Sequence, residues 1–353
     1  MYRKKERRKW GDEHMPQEDF KIDFGYAKQN IEFTQSFMNK GKNYRESLIK
    51  FNSLYKYNKK GTETNEIYLF EPRGKTLGAA LILHGLGTKN ITYILKMGRY
   101  FSKLGIRAVV PILPDNYTRT SNGSMSGKNY FSADIYTTLN TWEHAVVDVL
   151  SIIDFLKANE LWHERNFMIG YCLGGMVSVI VNALNPEIKH NFIIASGGNM
   201  AELIWESPTL EFTRRELLKK KDYMAYLSDR ERLKKTFQND LKRVGEFKNI
   251  QEFLNSNIHP LMKVDPAAYA NFLNREKVTF LEAAFDKTLP KNTRRVLWEN
   301  LGRPRRMTVP IDHITWLPFQ RLISNIIINE MRFEDIKYRF ANLGYLAIFF
   351  KVN

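Results

Sequence analysis

The segment from Phe167 to Leu184 constrains this chain more than any other. Phe167-Met168-Ile169-Gly170-Tyr171 is a short apolar run of the kind that forms a buried strand, and Leu173 to Leu184 is apolar over a helical length. Between them stands Cys172, within Gly170-Tyr171-Cys172-Leu173-Gly174-Gly175. A strand that passes into a helix over one residue must turn sharply, which lifts the intervening side chain clear of the sheet. The glycines two before and two after the cysteine let the backbone make that turn without collision.

The same strand-then-helix rhythm runs through much of the sequence. Glu66 to Glu71 reads as a strand with Pro72-Arg73-Gly74 as its turn, and Ala79 to His84 as a buried strand ending in His84-Gly85-Leu86-Gly87. Ile91 to Leu104 reads as a helix stopped by Gly105, and Ile106 to Leu113 as a strand closed by Pro114. A polar loop over 115–134 leads into an amphipathic helix, Tyr136 to Ala158, with Trp142, Val146, Val149 and Ile153 on its apolar face. Ile188 to Ala195 is the strand after the Cys172 helix, and it ends in Ser196-Gly197-Gly198. Residues 199–275 are then helical and charged, with Leu217 to Tyr226, Arg230 to Val244 and Ile250 to Asn255 as the clearest helices. The alternation resumes with a strand at Val278 to Phe285, a helix at Thr293 to Leu301, a strand at Met307 to Ile311 and a closing helix at Leu317 to Arg332.

Upstream, Phe33, Phe37, Leu48, Phe51 and Leu54 recur at loosely helical spacing, which predicts one or two lead-in helices behind a loose charged arm over 1–24. The tail at 338–352 is aromatic and apolar and has no assignment. Alternating strands and helices specify an α/β class: a mostly parallel sheet with helices on both faces and sites at the carboxyl ends of its strands. The expected division is an N-terminal arm with lead-in helices over 1–60, an α/β core over 61–198 and 276–353, and a helical cap insertion over 199–275.

Composition narrows the function. No run of about 18 apolar residues occurs, so no transmembrane segment is expected. The basic start from Tyr2 to Trp10 has no apolar run behind it and does not read as a secretory signal. A single cysteine excludes an intramolecular disulfide framework and suits a reducing cytoplasm. The net charge of +16 is spread over residues such as Arg214, Arg215, Lys219, Lys234, Lys235, Arg305 and Arg306 and forms no recognised nucleic-acid motif. It reads as a solvated surface, with no nucleic acid expected as partner. No metal-ligand spacing, phosphate loop or dinucleotide fingerprint occurs, so neither metal nor cofactor is expected.

Cys172, Asp286 and His313 end successive strands in the order nucleophile, acid, histidine. With this order and its Gly-x-Cys-x-Gly-Gly elbow, the chain resembles the α/β-hydrolase superfamily over roughly residues 65–330. Within it, the elbow is similar to that of the dienelactone-hydrolase-like enzymes and, more distantly, to that of the polyhydroxyalkanoate synthases. The resemblance implies an α/β-hydrolase fold with a Cys-His-Asp triad. Cys172 is then the thiolate nucleophile, His313 the base and later acid, and Asp286 the group that holds His313. The backbone N–H groups of Leu86 and Leu173 are the expected oxyanion donors.

Other readings compete. A lone cysteine on an apolar strand is most often a core residue. Asp312 neighbours His313, but adjacent side chains diverge, which favours Asp286. His84 reads as structural, and His144 and His163 as surface or packing residues. Trp205 and Trp316 either line an acyl pocket or pack. A thiolate leaves a tetrahedral intermediate more readily than an alkoxide, so the expected substrates are activated esters, lactones or thioesters, small acyl compounds hydrolysed through an acyl-enzyme. A coenzyme A thioester-dependent acyltransferase and an inactive scaffold are the alternatives. Substrate-binding residues and oligomeric state stay open.

Overall fold

A computed structural model describes residues 21–219, 225–333 and 351–352. In chain order its first elements are β1 (Thr34–Lys40), β2 (Tyr44–Asn52), β3 (Thr64–Pro72), β4 (Gly78–Leu83), α1 (Thr92–Lys103), β5 (Ile106–Pro111), α2 (Ile135–Ala158), β6 (Asn166–Tyr171), α3 (Leu173–Leu184) and β7 (Asn191–Ile194). A helical stretch follows: α4 (Met200–Glu206), α5 (Glu211–Lys219), α6 (Ala225–Ser228), α7 (Arg230–Val244), α8 (Ile250–Asn255) and α9 (Pro266–Tyr269). Then come β8 (Val278–Ala283), α10 (Lys291–Asn300), β9 (Arg305–Val309), α11 (Gln320–Glu330) and the short β10 (Lys351–Val352).

These strands form one ten-stranded sheet in the order β1-β2-β3-β5-β4-β6-β7-β8-β9-β10. From β5 through β4, β6, β7 and β8 to β9 the neighbours are parallel; β1, β2 and β3 join antiparallel at one edge and β10 at the other. Every residue of β4, β6, β7 and β8 is buried, as a strand covered on both faces requires. One cover is α1 and α11, with Ile94, Met97, Phe101, Ile323 and Ile327 in a common core. The opposite core takes Trp142, Val146 and Ile153 from α2 with Val177 and Ile180 from α3. The mostly parallel α/β class is therefore as the sequence predicts.

The lead-in helices expected over 25–57 are not there; this segment is the β1–β2 hairpin. The alternation that decides it lies in β2, where Ile49 and Phe51 enter one core while Leu48 packs against the other. The helical spacing of Phe33 and Phe37 misled because β1 is exposed along its whole length. Ile22 and Phe24 are buried, so the loose arm does not extend to residue 24. The remainder of that arm, and the tail from 338 to 350, lie outside the described residues.

No strand interrupts the described residues between β7 and β8. The helices there join the α2/α3 core through Leu203, Leu217, Leu233, Phe237 and Phe253. They also tie down loops at the carboxyl edge of the sheet. Thr213 of α5 bonds the Phe131 carbonyl at 2.5 Å, Glu216 pairs with Lys128 at 2.8 Å, and Ser207 after α4 bonds the Thr288 carbonyl at 2.7 Å. No helix among the described residues is long and apolar enough to cross a membrane.

Candidate active site

Cys172 links β6 directly to α3 with φ 52° and ψ −112°, a conformation that costs a non-glycine residue of order 1–3 kcal/mol. Neighbouring contacts hold it there. Its N–H donates to the Ile194 carbonyl at 3.0 Å, and the Ser196 hydroxyl donates to its carbonyl at 2.9 Å. The flanking glycines are sterically required. A Cβ at Gly170 would stand 2.4 Å from the Gly174 carbonyl oxygen, and one at Gly174 2.3 Å from that of Leu83.

His313 lies beyond β9 and Asp286 just beyond β8, and the structure brings both to Cys172. Asp286 Oδ2 meets His313 Nδ1 at 2.7 Å, while its Oδ1 accepts the N–H groups of Thr288 and Leu289, each at 2.9 Å. With Nδ1 so engaged, the imidazole is fixed in orientation and faces the Cys172 thiol. The backbone N–H groups of Leu86 and Leu173 also reach the sulfur. Thiol, imidazole, carboxylate and both expected amide donors thus converge on one point.

Their electrostatics are coupled. Burial opposes ionisation of Cys172, yet the facing His313 and the two amides together hold the thiol below its ordinary value. Burial likewise opposes charge on His313, and the Cys172 sulfur with Asp286 lifts the imidazole well above its usual range. Both shifts favour a thiolate–imidazolium pair.

The remaining candidates divide clearly. Asp312 is exposed, and its Oδ1 accepts from Ile314 N, Thr315 N and Thr315 Oγ1, so it caps its own turn. His84 accepts the Leu113 N–H on Nε2 at 3.0 Å and donates from Nδ1 to the Gly85 carbonyl at 2.8 Å. Burial lowers its pKa to about 4, so it is a neutral brace for the turn that carries Leu86. His144 is buried, stacks on Tyr55 at 4.6 Å and contacts Asp148 at 3.1 Å. His163 accepts the Arg165 N–H within its own loop. Trp316 belongs to the α1/α11 core, and Trp205 packs against the other core. Among the described residues no group of acidic, histidine or cysteine side chains could hold a metal ion.

No family model matches the sequence, and no curated protein matches it. Solved structures do match. An acetyl xylan esterase from a Paenibacillus species aligns at 13% identity with a TM-score of 0.59, covering 85% of this chain and 89% of its own. An acetyl xylan esterase from a Thermoanaerobacterium species gives 12% identity and 0.55, over 86% of this chain and 89% of that one. An S-formylglutathione hydrolase from Agrobacterium tumefaciens gives 13% and 0.53, over 86% and 99%. The chain has the α/β-hydrolase fold. At such identities the likeness is one of fold alone.

Within this fold, sequence reasoning missed two residues that build the site. Tyr171 ends β6 beside the cysteine, and its buried hydroxyl donates to the backbone carbonyl of His313. One side chain thereby ties the nucleophile strand to the histidine loop, although nothing in an aromatic residue at a strand end announces that bond. Arg294 of α10 bonds the carbonyls of Ala283 at 3.0 Å and Leu289 at 3.1 Å, on either side of Asp286, and pairs with buried Glu282. Beside His313 opens a cleft of about 580 Å³ lined by Phe285, Lys287, Thr288, Pro310 and Ile314, among others. Phe285 and Ile314 are 63% and 67% exposed there, an apolar rim on a mouth of mixed character.

Proposed function

We propose that this α/β-hydrolase cleaves activated carboxylic esters or thioesters through a Cys172-His313-Asp286 triad and an acyl-enzyme. The observation that carries the reading is His313 hydrogen-bonded to Asp286 and facing Cys172, with the Leu86 and Leu173 amides also directed at the sulfur. The Cys172 thiolate attacks the carbonyl carbon, and the oxyanion forms against those two amides. Collapse expels the leaving group, which takes its proton from imidazolium His313, and leaves an acyl thioester on Cys172. His313 then removes a proton from water, the resulting hydroxide attacks the acyl carbon, and the thiolate departs with the free acid. Asp286 keeps its negative charge throughout and holds the ring in register.

Three proteins of the same fold are acetyl xylan esterases or an S-formylglutathione hydrolase, which supports ester or thioester cleavage as the reaction class. The narrower likeness to dienelactone-hydrolase-like enzymes rests on the elbow sequence alone. We also propose that the 199–275 helices act as the cap, on the strength of their bonds to the loops at Phe131 and Thr288. A lone cysteine that must stay reduced fits a cytoplasmic setting.

The test is a comparison of leaving groups. Aryl acetates and acyl thioesters are expected to turn over at least about tenfold faster in kcat than matched ethyl esters, since a departing thiolate outruns an alkoxide. Equal rates on ethyl and aryl esters would remove the thiolate as the group that partitions the intermediate. A second expectation concerns Tyr171→Phe. Losing the bond to the His313 carbonyl should lower kcat about 10- to 100-fold and move the acid limb of the pH profile upward, with KM nearly unchanged. A lower kcat with an unmoved pH profile would mean that Tyr171 only stabilises the fold.

A further inference from the structure

The face formed by α1 and α11 carries a groove of about 550 Å³ that ester cleavage does not use. On α1, Tyr93, Lys96, Tyr100 and Lys103 alternate at helical spacing, so aromatic and cationic groups share one side. Arg99 of the same helix and Arg321 of α11 complete the positive lining. Buried Glu46 fixes Arg99 by two bonds, at 2.8 and 2.7 Å. Lys96, Lys103 and Arg321 each lie over a tyrosine ring, at 5.3, 5.6 and 5.4 Å, and have no carboxylate partner among the described residues. The Tyr100 hydroxyl is itself held by Asn325 at 2.5 Å.

Four cations from two helices with one carboxylate between them repel one another unless an anion joins them. The tyrosines hold three of them in place, so little ordering is left for a ligand to impose. Gln320 also lines the groove. Gln320 is buried, its amide N–H bonds the Trp316 carbonyl at 3.2 Å, and its amide oxygen has no partner among the described residues. The volume is that of a small-molecule site, roughly 300–1,000 Å³, and not of an extended nucleic-acid track.

We propose that this groove binds the phosphate chain of a small polyphosphorylated ligand. Two sources share this chemistry: a nucleoside triphosphate and an inorganic polyphosphate. The site is separate from Cys172, so binding persists in Cys172→Ala, and failure of either proposal leaves the other standing.

The test is calorimetric titration of the full chain with inorganic tripolyphosphate and with adenosine triphosphate at moderate salt. Saturable one-site binding is expected, weakened about tenfold or more in the double variant Lys96→Glu, Lys103→Glu and less than about twofold in Lys235→Glu, an exposed lysine of α7. The double variant Lys96→Gln, Lys103→Gln, with an unchanged melting profile, should show the same direction of loss and so separates binding from folding. A nucleotide bound much more tightly than tripolyphosphate identifies the nucleoside as part of the ligand; equal affinities identify the phosphate chain alone. Non-saturating binding, or equal weakening by Lys235→Glu, would overturn the site in favour of diffuse surface charge. So would groove-dependent binding of single-stranded RNA with none of either polyphosphate.

Discussion

Replacing Cys172 by alanine is expected to lower kcat on an aryl ester by about 10⁴- to 10⁶-fold, the range seen when the nucleophile of a catalytic triad is removed. The expectation follows from how much converges on one sulfur. His313 takes its orientation from Asp286 and faces the thiol, and the Leu86 and Leu173 amides are directed at the same atom. With the thiol gone, the acyl-enzyme cannot form, and only amide polarisation of the substrate carbonyl is left. His313→Ala should cost nearly as much, and combining the two should add little, because groups acting as a unit are non-additive. Steady-state kinetics on purified variants with matched melting profiles measure this. Undiminished turnover in Cys172→Ala would place the reaction elsewhere.

The second large effect is on stability. Gly174→Ala is expected to destabilise the fold by more than ~3 kcal/mol or to yield no folded protein. A methyl there would stand 2.3 Å from the Leu83 carbonyl oxygen and 2.7 Å from that of His84, and backbone on both sides cannot yield as a flexible side chain can. Gly170→Ala meets the same obstacle at 2.4 Å from the Gly174 carbonyl oxygen. Gly74→Ala is the control, since a Cβ there meets nothing within 4 Å. Thermal or denaturant unfolding should therefore separate Gly74→Ala, close to the parent, from the two elbow variants. Near-parent stability in Gly174→Ala would mean that α3 can move off β4 and that the elbow is not the rigid turn described.

Where burial is two-sided, the sequence was easy to read. β4 and β6 are covered on both faces and so appear as near-continuous apolar runs, and α3 appears with the bounds its composition suggests. The hairpin at the sheet edge hid itself for the opposite reason. β1 buries nothing, so the four-residue spacing of Phe33 and Phe37, which fits a helix as well as a strand, was not resolved by any alternation, and β2 shares its apolar residues between two cores. At the site, the elbow and the order of Cys172, Asp286 and His313 were legible because chemistry demands particular side chains at strand ends. Tyr171 and Arg294 were not. Each acts on backbone carbonyls, Tyr171 across a long stretch of chain and Arg294 across the β8–α10 turn, and such bonds depend on how the backbone folds and leave no local pattern. The α1 groove escaped for a similar reason. Nothing in the sequence singles out Lys96 and Lys103, and only packing brings Arg321 beside them.

Alkylation of Cys172 as a function of pH tests the thiolate–imidazolium pair most directly. The chain has a single cysteine, so iodoacetamide consumption reports on that thiol alone, and the midpoint of the profile does not depend on how open the site is. A lowered thiol pKa means that the thiolate, and with it the labelling rate, is already populated at acid pH and rises to a plateau early. The parent profile is predicted to have its midpoint well below ~8.5, the ordinary thiol value, and His313→Ala should move it up toward that value. A parent midpoint at or above ~8.5, unmoved by His313→Ala, would contradict the account.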